Sequence, residues 1–278
     1  VADPLVSIVI PVFNGMAFLE QAVNSIQEQT YGNIELSLVD GGSTDGSRDW
    51  VAESGLSHEL LEAPSSPANT WTTATNLARG EFVVLLCQDD LLYPEAIASQ
   101  VAQLKGRSEF HAAIAQRDII DATGAVVKRQ RGLMGLQNGR AVGADVIRQC
   151  YLRGTNVIGE PHVVMFRREV IQGAMPWNGE LPYFLDMATY AAALDRPGVL
   201  VHLRRESIGA FRVSSSSWST RLVAEQLRQM RAWQAGYELS HRTSARERVR
   251  AAANATIQAQ ARRAFYLMIR GRGRWTAA

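Results

Sequence analysis

The chain has 278 residues with 29 Lys+Arg against 27 Asp+Glu, a formal charge of +2 with histidines neutral, so its charge balance gives no case for nucleic acid as a partner. An apolar fraction of 46% with 20% charged residues is globular composition and excludes disordered, collagen-like and coiled-coil chains. Cys87 and Cys150 are too few and too far apart for a disulfide framework or a thiolate zinc site, and read as reduced core residues.

Residues 5–12 (LVSIVIPV) form a continuous β-branched run, as expected of a strand buried on both faces of a parallel sheet. Phe18, Leu19, Ala22, Val23 and Ile26 then recur at helical spacing, and a second buried run follows at 34–40 (IELSLVD). The pattern repeats with a helix after Ser43-Thr44-Asp45-Gly46, a short strand near His58 to Leu61, a helix over about 70–79 and a strand from Glu81 to Cys87. Strands alternating with helices predict a mostly parallel sheet, whose ligands bind outside the carboxyl ends of the strands. Three polar clusters fall at those ends: Pro11 to Gly15, Asp40 to Asp45, and Gln88-Asp89-Asp90.

After Tyr93-Pro94-Glu95, where proline suits a first helical turn, the alternation decays. Residues 110–130 read as strands around a turn at Thr123-Gly124, 131–141 as a Gly-rich mobile loop, and 143–153 as a helix. An apolar run from Val163 to Phe166, a helix around Phe184 to Leu194, and short strands at 198–203 and 206–212 follow. From Ser217 the chain reads as two helices broken near Ser240 to Ser244. The longest apolar stretches fall far short of the ~20 residues of a membrane-spanning helix, and the first residues lack a secretory pattern, so a cytoplasmic location is expected.

Residues 221–278 hold 12 Lys+Arg against 3 Asp+Glu, a balance of +9, leaving −7 for residues 1–220. The stretch Ala261 to Arg270, then Arg272, Arg274 and Trp275, sets basic residues beside apolar ones, as suits a helix on an anionic membrane surface. A helix packed on the body of the protein and a contact between two copies in a homodimer are the competing readings. RNA binding finds no recognition motif.

Asp89 and Asp90, adjacent after a buried strand, repel unless a cation or solvent compensates, and hard divalent cations prefer oxygen ligands. A solvated turn with one aspartate capping the next helix is the plainer alternative. Asp40 ends a buried strand before a Gly-rich turn, where a carboxylate can accept hydrogen bonds from an imide or a ribose. His162, a single histidine beside an apolar strand, reads as a packed, hydrogen-bonded side chain rather than a metal ligand.

In this order the three clusters resemble the family 2 glycosyltransferases, inverting enzymes with the nucleotide-sugar-binding GT-A fold. The resemblance rests on VSIVIPVFNG at 6–15, SIQEQTYGNIELSLVDGGSTDGS at 25–47 and ARGEFVVLLCQDDLLYPEAI at 78–97. It implies an α/β fold: a Rossmann-like, mostly parallel sheet with flanking helices, plus a C-terminal helical extension. The catalytic domain would span 1–216, with a nucleotide-sugar-binding half (1–105) and an acceptor-binding half (106–216), and the basic extension 217–278.

By the same resemblance Pro11 and Phe13 flank the nucleotide base, and Asp40 bonds its imide, which puts UDP and dTDP donors first. Asp90 is the direct ligand of a divalent metal, manganese or magnesium, with Asp89 closer to the ribose or sugar. Gln88 stands where the family motif has an aspartate, and Gly41 where a second aspartate often follows Asp40. Asn69 and Trp71 fall where the family lines the nucleotide pocket, core packing being an equal reading for Trp71. Asp186, in WNGELPYFLDMATYAAAL, matches the catalytic base that deprotonates the acceptor hydroxyl, and its apolar neighbours would raise its basicity; an acid at a helix N-terminus stabilised by the macrodipole is the plainer alternative. Glu160 matches a position facing the acceptor or donor sugar, or lies in a surface turn.

Some relatives supply a further metal ligand from a C-terminal histidine; this chain reads Phe211-Arg212-Val213 there, and Arg212 is expected to offset diphosphate charge or to form a surface ion pair. The expected activity is transfer of a sugar to an acceptor hydroxyl of a cell-surface glycan or a lipid-linked saccharide. A non-catalytic nucleotide-sugar-binding module is the alternative. A nucleotidyltransferase fits less well, because Phe13-Asn14-Gly15-Met16 lacks the basic residue of its phosphate loop.

Overall fold

The structure, a computed structural model, describes residues 2–62 and 65–271. Along the chain come β1 (Val6–Val12), α1 (Met16–Gln27), β2 (Ile34–Asp40), α2 (Ser47–Glu53), β3 (Ser57–Leu60), α3 (Pro67–Leu77) and β4 (Phe82–Leu85). The four strands pair in parallel in the order β3-β2-β1-β4. All seven residues of β1 are buried, because helices cover both faces of a parallel sheet. Helix α3 starts three residues earlier than its apolar periodicity suggests: Ser66 caps it, accepting from Asn69 N at 3.2 Å, and Pro67 occupies the first turn.

The second half adds β5 (Leu91–Leu92), α4 (Ala96–Leu104), β6 (Phe110–Asp121), β7 (Val126–Arg131), β8 (Gly139–Val142), α5 (Gly143–Arg153), β9 (Val164–Arg167), α6 (Arg168–Gln172), α7 (Leu185–Leu194) and β10 (Leu200–Val213). Here the sheet becomes mixed. Strand β9 lies antiparallel between β4 and β6, β10 runs parallel to β6, and β5 and β8 run antiparallel to β10. The two short strands expected at 198–203 and 206–212 are one strand of 14 residues; register shifts between Arg204 and Ala210 break its alternation where Arg205 and Glu206 turn to solvent. Residues 131–141 are anchored rather than mobile: Leu133 is fully buried, and Gly139 opens β8.

The C-terminal segment comprises α8 (Trp218–Arg221), α9 (Gln226–Ser240) and α10 (Ala245–Gly271). Met230, Trp233 and Tyr237 of α9 and Ala251 and Ala255 of α10 join the same core as the sheet. Gln234 Nε2 donates to Tyr151 O and Ala251 O, both at 3.0 Å, tying α9 to α5 and α10. The inner face of α10 is thus packed on the body, while Val249, Ile257, Leu267 and Met268 stay exposed. Arg272, Arg274 and Trp275 of the basic tail lie outside the described residues. Among the described residues no helix is long and apolar enough to cross a membrane.

The docking of α10 depends on Gly154, which ends α5 in the left-handed region (φ 61°). A Cβ there would meet Ala255 N at 2.3 Å. Gly154→Ala is therefore expected to cost about 1–3 kcal/mol through overpacking, with further strain from the positive φ. At about 2–4 °C per kcal/mol this reads as a lowered Tm in a circular-dichroism melt. An unchanged Tm would show that the helix does not depend on this contact.

Candidate active site

A cleft of about 680 Å³ opens at the carboxyl ends of β1 and β4 and continues between β6, α7 and α10. Pro11, Phe13, Trp71, Asp89, Glu160 and Asp186 all line it. Phe13 is held in place by Gln88, whose side-chain amide pairs with both polar groups of the Phe13 backbone: Phe13 N donates to Oε1 at 2.8 Å, and Nε2 donates to Phe13 O at 2.9 Å. Gly15 leaves room for that amide, since a Cβ would sit 2.2 Å from Oε1. Gln88 thus clamps the loop after β1, a role its place in the sequence motif did not suggest. Trp71 lines the cleft and also packs edge-on to Trp177 at 5.0 Å.

Three expected site residues lie elsewhere. Asp40 is fully buried and does not line the cleft. Its Oδ2 accepts from Gly42 N at 2.9 Å, Ser43 N at 3.1 Å and Arg48 Nη1 at 2.9 Å. The Gly-rich turn curls its amides back onto the carboxylate, as aspartates in such turns do, and Arg48 supplies the counter-charge; Oδ1 accepts only from Ser43 N, at 3.3 Å. Arg212 is neither a cleft residue nor a surface ion pair; it is 1% exposed. Its Nε donates to Asp89 O at 2.9 Å, its Nη2 to Gln21 Oε1 at 3.0 Å, and the guanidinium stacks 4.4 Å above the Phe18 ring. Burial lowers its pKa, the nearby aspartates opposing. Asn69 is exposed and does not itself line the cleft, but its Nδ2 donates at 2.7 Å to Ser65 Oγ, which does.

The adjacent aspartates are divided by their surroundings. Asp90 is 1% exposed, and both oxygens are taken: Arg212 N donates to Oδ1 at 3.0 Å and His162 Nδ1 to Oδ2 at 3.1 Å. His162, fully buried, is the packed and hydrogen-bonded residue expected. Asp89 has one oxygen, Oδ2, held by Ser217 Oγ at 3.0 Å, its own backbone amide bonds the carboxylate, and among the described residues no side chain bonds Oδ1. Burial, then the charge of Asp90, pushes its pKa up to about 7, against the Ser217 hydrogen bond and Arg212. Both aspartates line the cleft; Asp90 also brackets β4, His162 and β10, whereas Asp89 is held by fewer partners among the described residues.

Asp186 lies in the first turn of α7. Asn156 Nδ2 donates to Oδ2 at 2.8 Å and Met187 N to Oδ1 at 2.6 Å. Burial raises its pKa to about 7, with Glu160 adding to the rise and Asn156 and Arg117 opposing it. Asn156 also bonds Gly159 O at 3.0 Å and accepts from Ile158 N and Gly159 N, so one amide shapes the loop and orients the carboxylate. Glu160 lines the cleft in an ion pair with Arg117, whose Nη2 is 2.9 Å from Oε1. Asn156 and Arg117 carried no sequence signal, because their partners stand 30 and 43 residues away.

Among the described residues no group of three or more His, Cys, Asp or Glu is placed to hold a metal ion. Magnesium and manganese sites built from one or two carboxylates, water and substrate phosphates need no such cage, and a half-buried carboxylate facing the cleft suits them. Asp89 fits that role.

The sequence model of glycosyl transferase family 2 matches residues 7–173, more than half of the chain. The chain belongs to glycosyl transferase family 2. Over 103 residues the family 2 chain is 32% identical to an uncharacterized glycosyltransferase of Haemophilus influenzae, covering 35% of this chain and 41% of that protein. Over 113 residues it is 34% identical to a PGL/p-HBAD biosynthesis glycosyltransferase of Mycobacterium tuberculosis, covering 39% and 44%. The match thus spans less than half the length of these curated relatives.

Solved structures resemble it over more of its length. TarS 1–349 of S. aureus in complex with UDP-GlcNAc superposes with a TM-score of 0.66 at 16% identity, covering 91% of this chain and 71% of that one. Glucosyl-3-phosphoglycerate synthase from Mycobacterium tuberculosis, in complex with Mn2+, UDP and phosphoglyceric acid, gives 0.56 at 19% identity, covering 82% and 78%. At such identities the likeness shows the fold, which is GT-A: a central sheet with flanking helices.

Proposed function

We propose that the protein transfers a sugar from a nucleoside-diphosphate donor to an acceptor hydroxyl, with inversion at the anomeric carbon. The observation that carries this reading is Asp186: a half-buried carboxylate, oriented by Asn156, with its pKa raised to about 7, facing the same cleft as Asp89. Ionised, it takes the proton of the acceptor hydroxyl as that oxygen bonds to the anomeric carbon and the bond to the diphosphate breaks. The donor's base lies against Pro11 and Phe13, its diphosphate near Asp89. Asp89 would hold a divalent cation, manganese or magnesium, which supplies positive charge to the departing diphosphate.

Asp40, engaged in its own turn, would read the base imide only through Oδ1, which accepts a single long bond from Ser43 N. UDP is the first donor nucleotide to test, because TarS and glucosyl-3-phosphoglycerate synthase structures hold it. The exposed apolar and basic outer face of α10, with Leu267, Met268, Arg263 and Arg270, suits contact with an anionic membrane surface that presents a lipid-linked acceptor. The test is a thermal-shift panel of UDP, dTDP, GDP and CDP with manganese, magnesium or chelator. Binding to the folded state at about 100 times the Kd adds about 2.7 kcal/mol, so one nucleotide is expected to raise Tm by several degrees, and chelator to remove most of the rise. No shift with any nucleotide would overturn the reading.

A further inference from the structure

The charges of the cleft are segregated. Its lining between Pro11 and Asp90 contains no lysine or arginine, whereas the lining from residue 116 onward contains Arg117, Lys128, Arg131, Arg205, Arg221 and Arg262. Arg117 is neutralised by Glu160. The other five form no ion pair among the described residues, in a body whose residues 1–220 carry a net −7.

Arg262 is the innermost of them. It is half-buried on α10, donates to the neutral hydroxyls of Tyr183 at 2.7 Å and Thr155 at 2.9 Å, and lies over the Tyr183 ring. A guanidinium has five N–H donors; the charge of Glu160 reaches this one, but no carboxylate lies within ion-pair distance of it among the described residues, so donors remain for a bound anion. Its partners fix which end of the cleft it serves. Thr155 precedes Asn156, which holds Asp186, and Tyr183 stands one helical turn before Asp186. Lys128 closes the same side, its Nζ 4.7 Å from the centre of the Phe265 ring, one turn along α10 from Arg262. Trp218, 43% exposed at the mouth and fixed by its Nε1 bond to Pro182 O at 2.9 Å, offers a flat face to a sugar ring.

We infer that the acceptor is an anionic saccharide or polyol, carrying phosphate or carboxylate groups held by Arg262 and Lys128 while its hydroxyl reaches Asp186. The inference rests on the transferase reading. It separates two anions: the donor diphosphate on the Asp89 side and the acceptor anion on the α10 side.

The test is calorimetric titration of the full chain, with and without saturating UDP and manganese, with glucose 6-phosphate, glucuronate and glucose. Glucose 6-phosphate or glucuronate is expected to bind at least tenfold tighter than glucose in both states, and the better of the two names the anionic group. Arg262→Gln and Lys128→Gln are each expected to reduce the preference severalfold, Arg262→Lys to keep most of it, and Arg107→Gln, outside the cleft, to leave it intact. Equal binding of glucose, or a preference that survives both glutamine variants, would overturn the inference. Displacement by UDP would also overturn it, since the cations would then serve the donor. Anion binding by a chain that binds no nucleotide would instead overturn the transferase reading and with it the acceptor role, while leaving the anion site standing.

Discussion

Asp186→Asn is expected to lower sugar transfer by about 10²–10⁴-fold, the usual contribution of a positioned general base, while leaving nucleotide binding within a few-fold of the native chain. The pH profile gives the second signature. With Asp186 raised to about 7, the fraction able to accept a proton grows as pH rises through 7, so the transfer rate climbs over that range and levels off above it. The sign for stability is opposite. A carboxyl whose folded pKa is above its unfolded value holds more protons in the native state between the two, so stability is greatest below about 4 and falls as pH rises towards 7. Asp89 contributes in the same direction. In Asp186→Asn the fall of Tm between pH 4 and 7 should be shallower than in the native chain. Normal transfer by this variant would remove Asp186 from the mechanism. A Tm slope identical to the native one would show that the carboxyl is not desolvated as the cleft requires.

How far the sequence reveals this site depends on the range of the interactions that set it. Strand ends and the following helices are local, so β1, β2, β4 and their polar clusters are legible from apolar runs and turn residues alone. Asp186 is legible too, since an acid in a first helical turn amid aromatic residues states both its position and its desolvation. Asp40 shows the limit: the pattern places a carboxylate at a strand end, but whether the next turn's amides point at it is a matter of backbone conformation. Arg212 shows another, because an arginine in a strand says nothing of the Phe18 ring and Gln21 amide that enclose it from the far end of the chain. The C-terminal helix is the same case in reverse. Its charge pattern does not separate the exposed Arg263 and Arg270 from Arg262, which turns into the cleft, and its packed face is set by Gly154 and by alanines that carry no functional signal.

The adjacent aspartates give the sharpest separation of site from scaffold. Asp89→Asn is expected to keep or raise Tm above pH 7, since it removes a carboxylate whose burial is only partly compensated, and to abolish the metal-dependent part of the nucleotide shift. Asp90→Ala is expected to act on the fold first. It leaves Arg212 N and His162 Nδ1 as buried donors without an acceptor, at about 1–3 kcal/mol each, so Tm should fall by roughly 5–20 °C at about 2–4 °C per kcal/mol. Because Arg212 also carries the Asp89 carbonyl, part of the nucleotide response should go with it. Differential scanning calorimetry beside nucleotide titration distinguishes the two effects. If Asp90→Ala melted with the native chain yet lost the metal response, Asp90 would be the ligand after all, and its bonds to His162 and β10 would have to open when the donor binds.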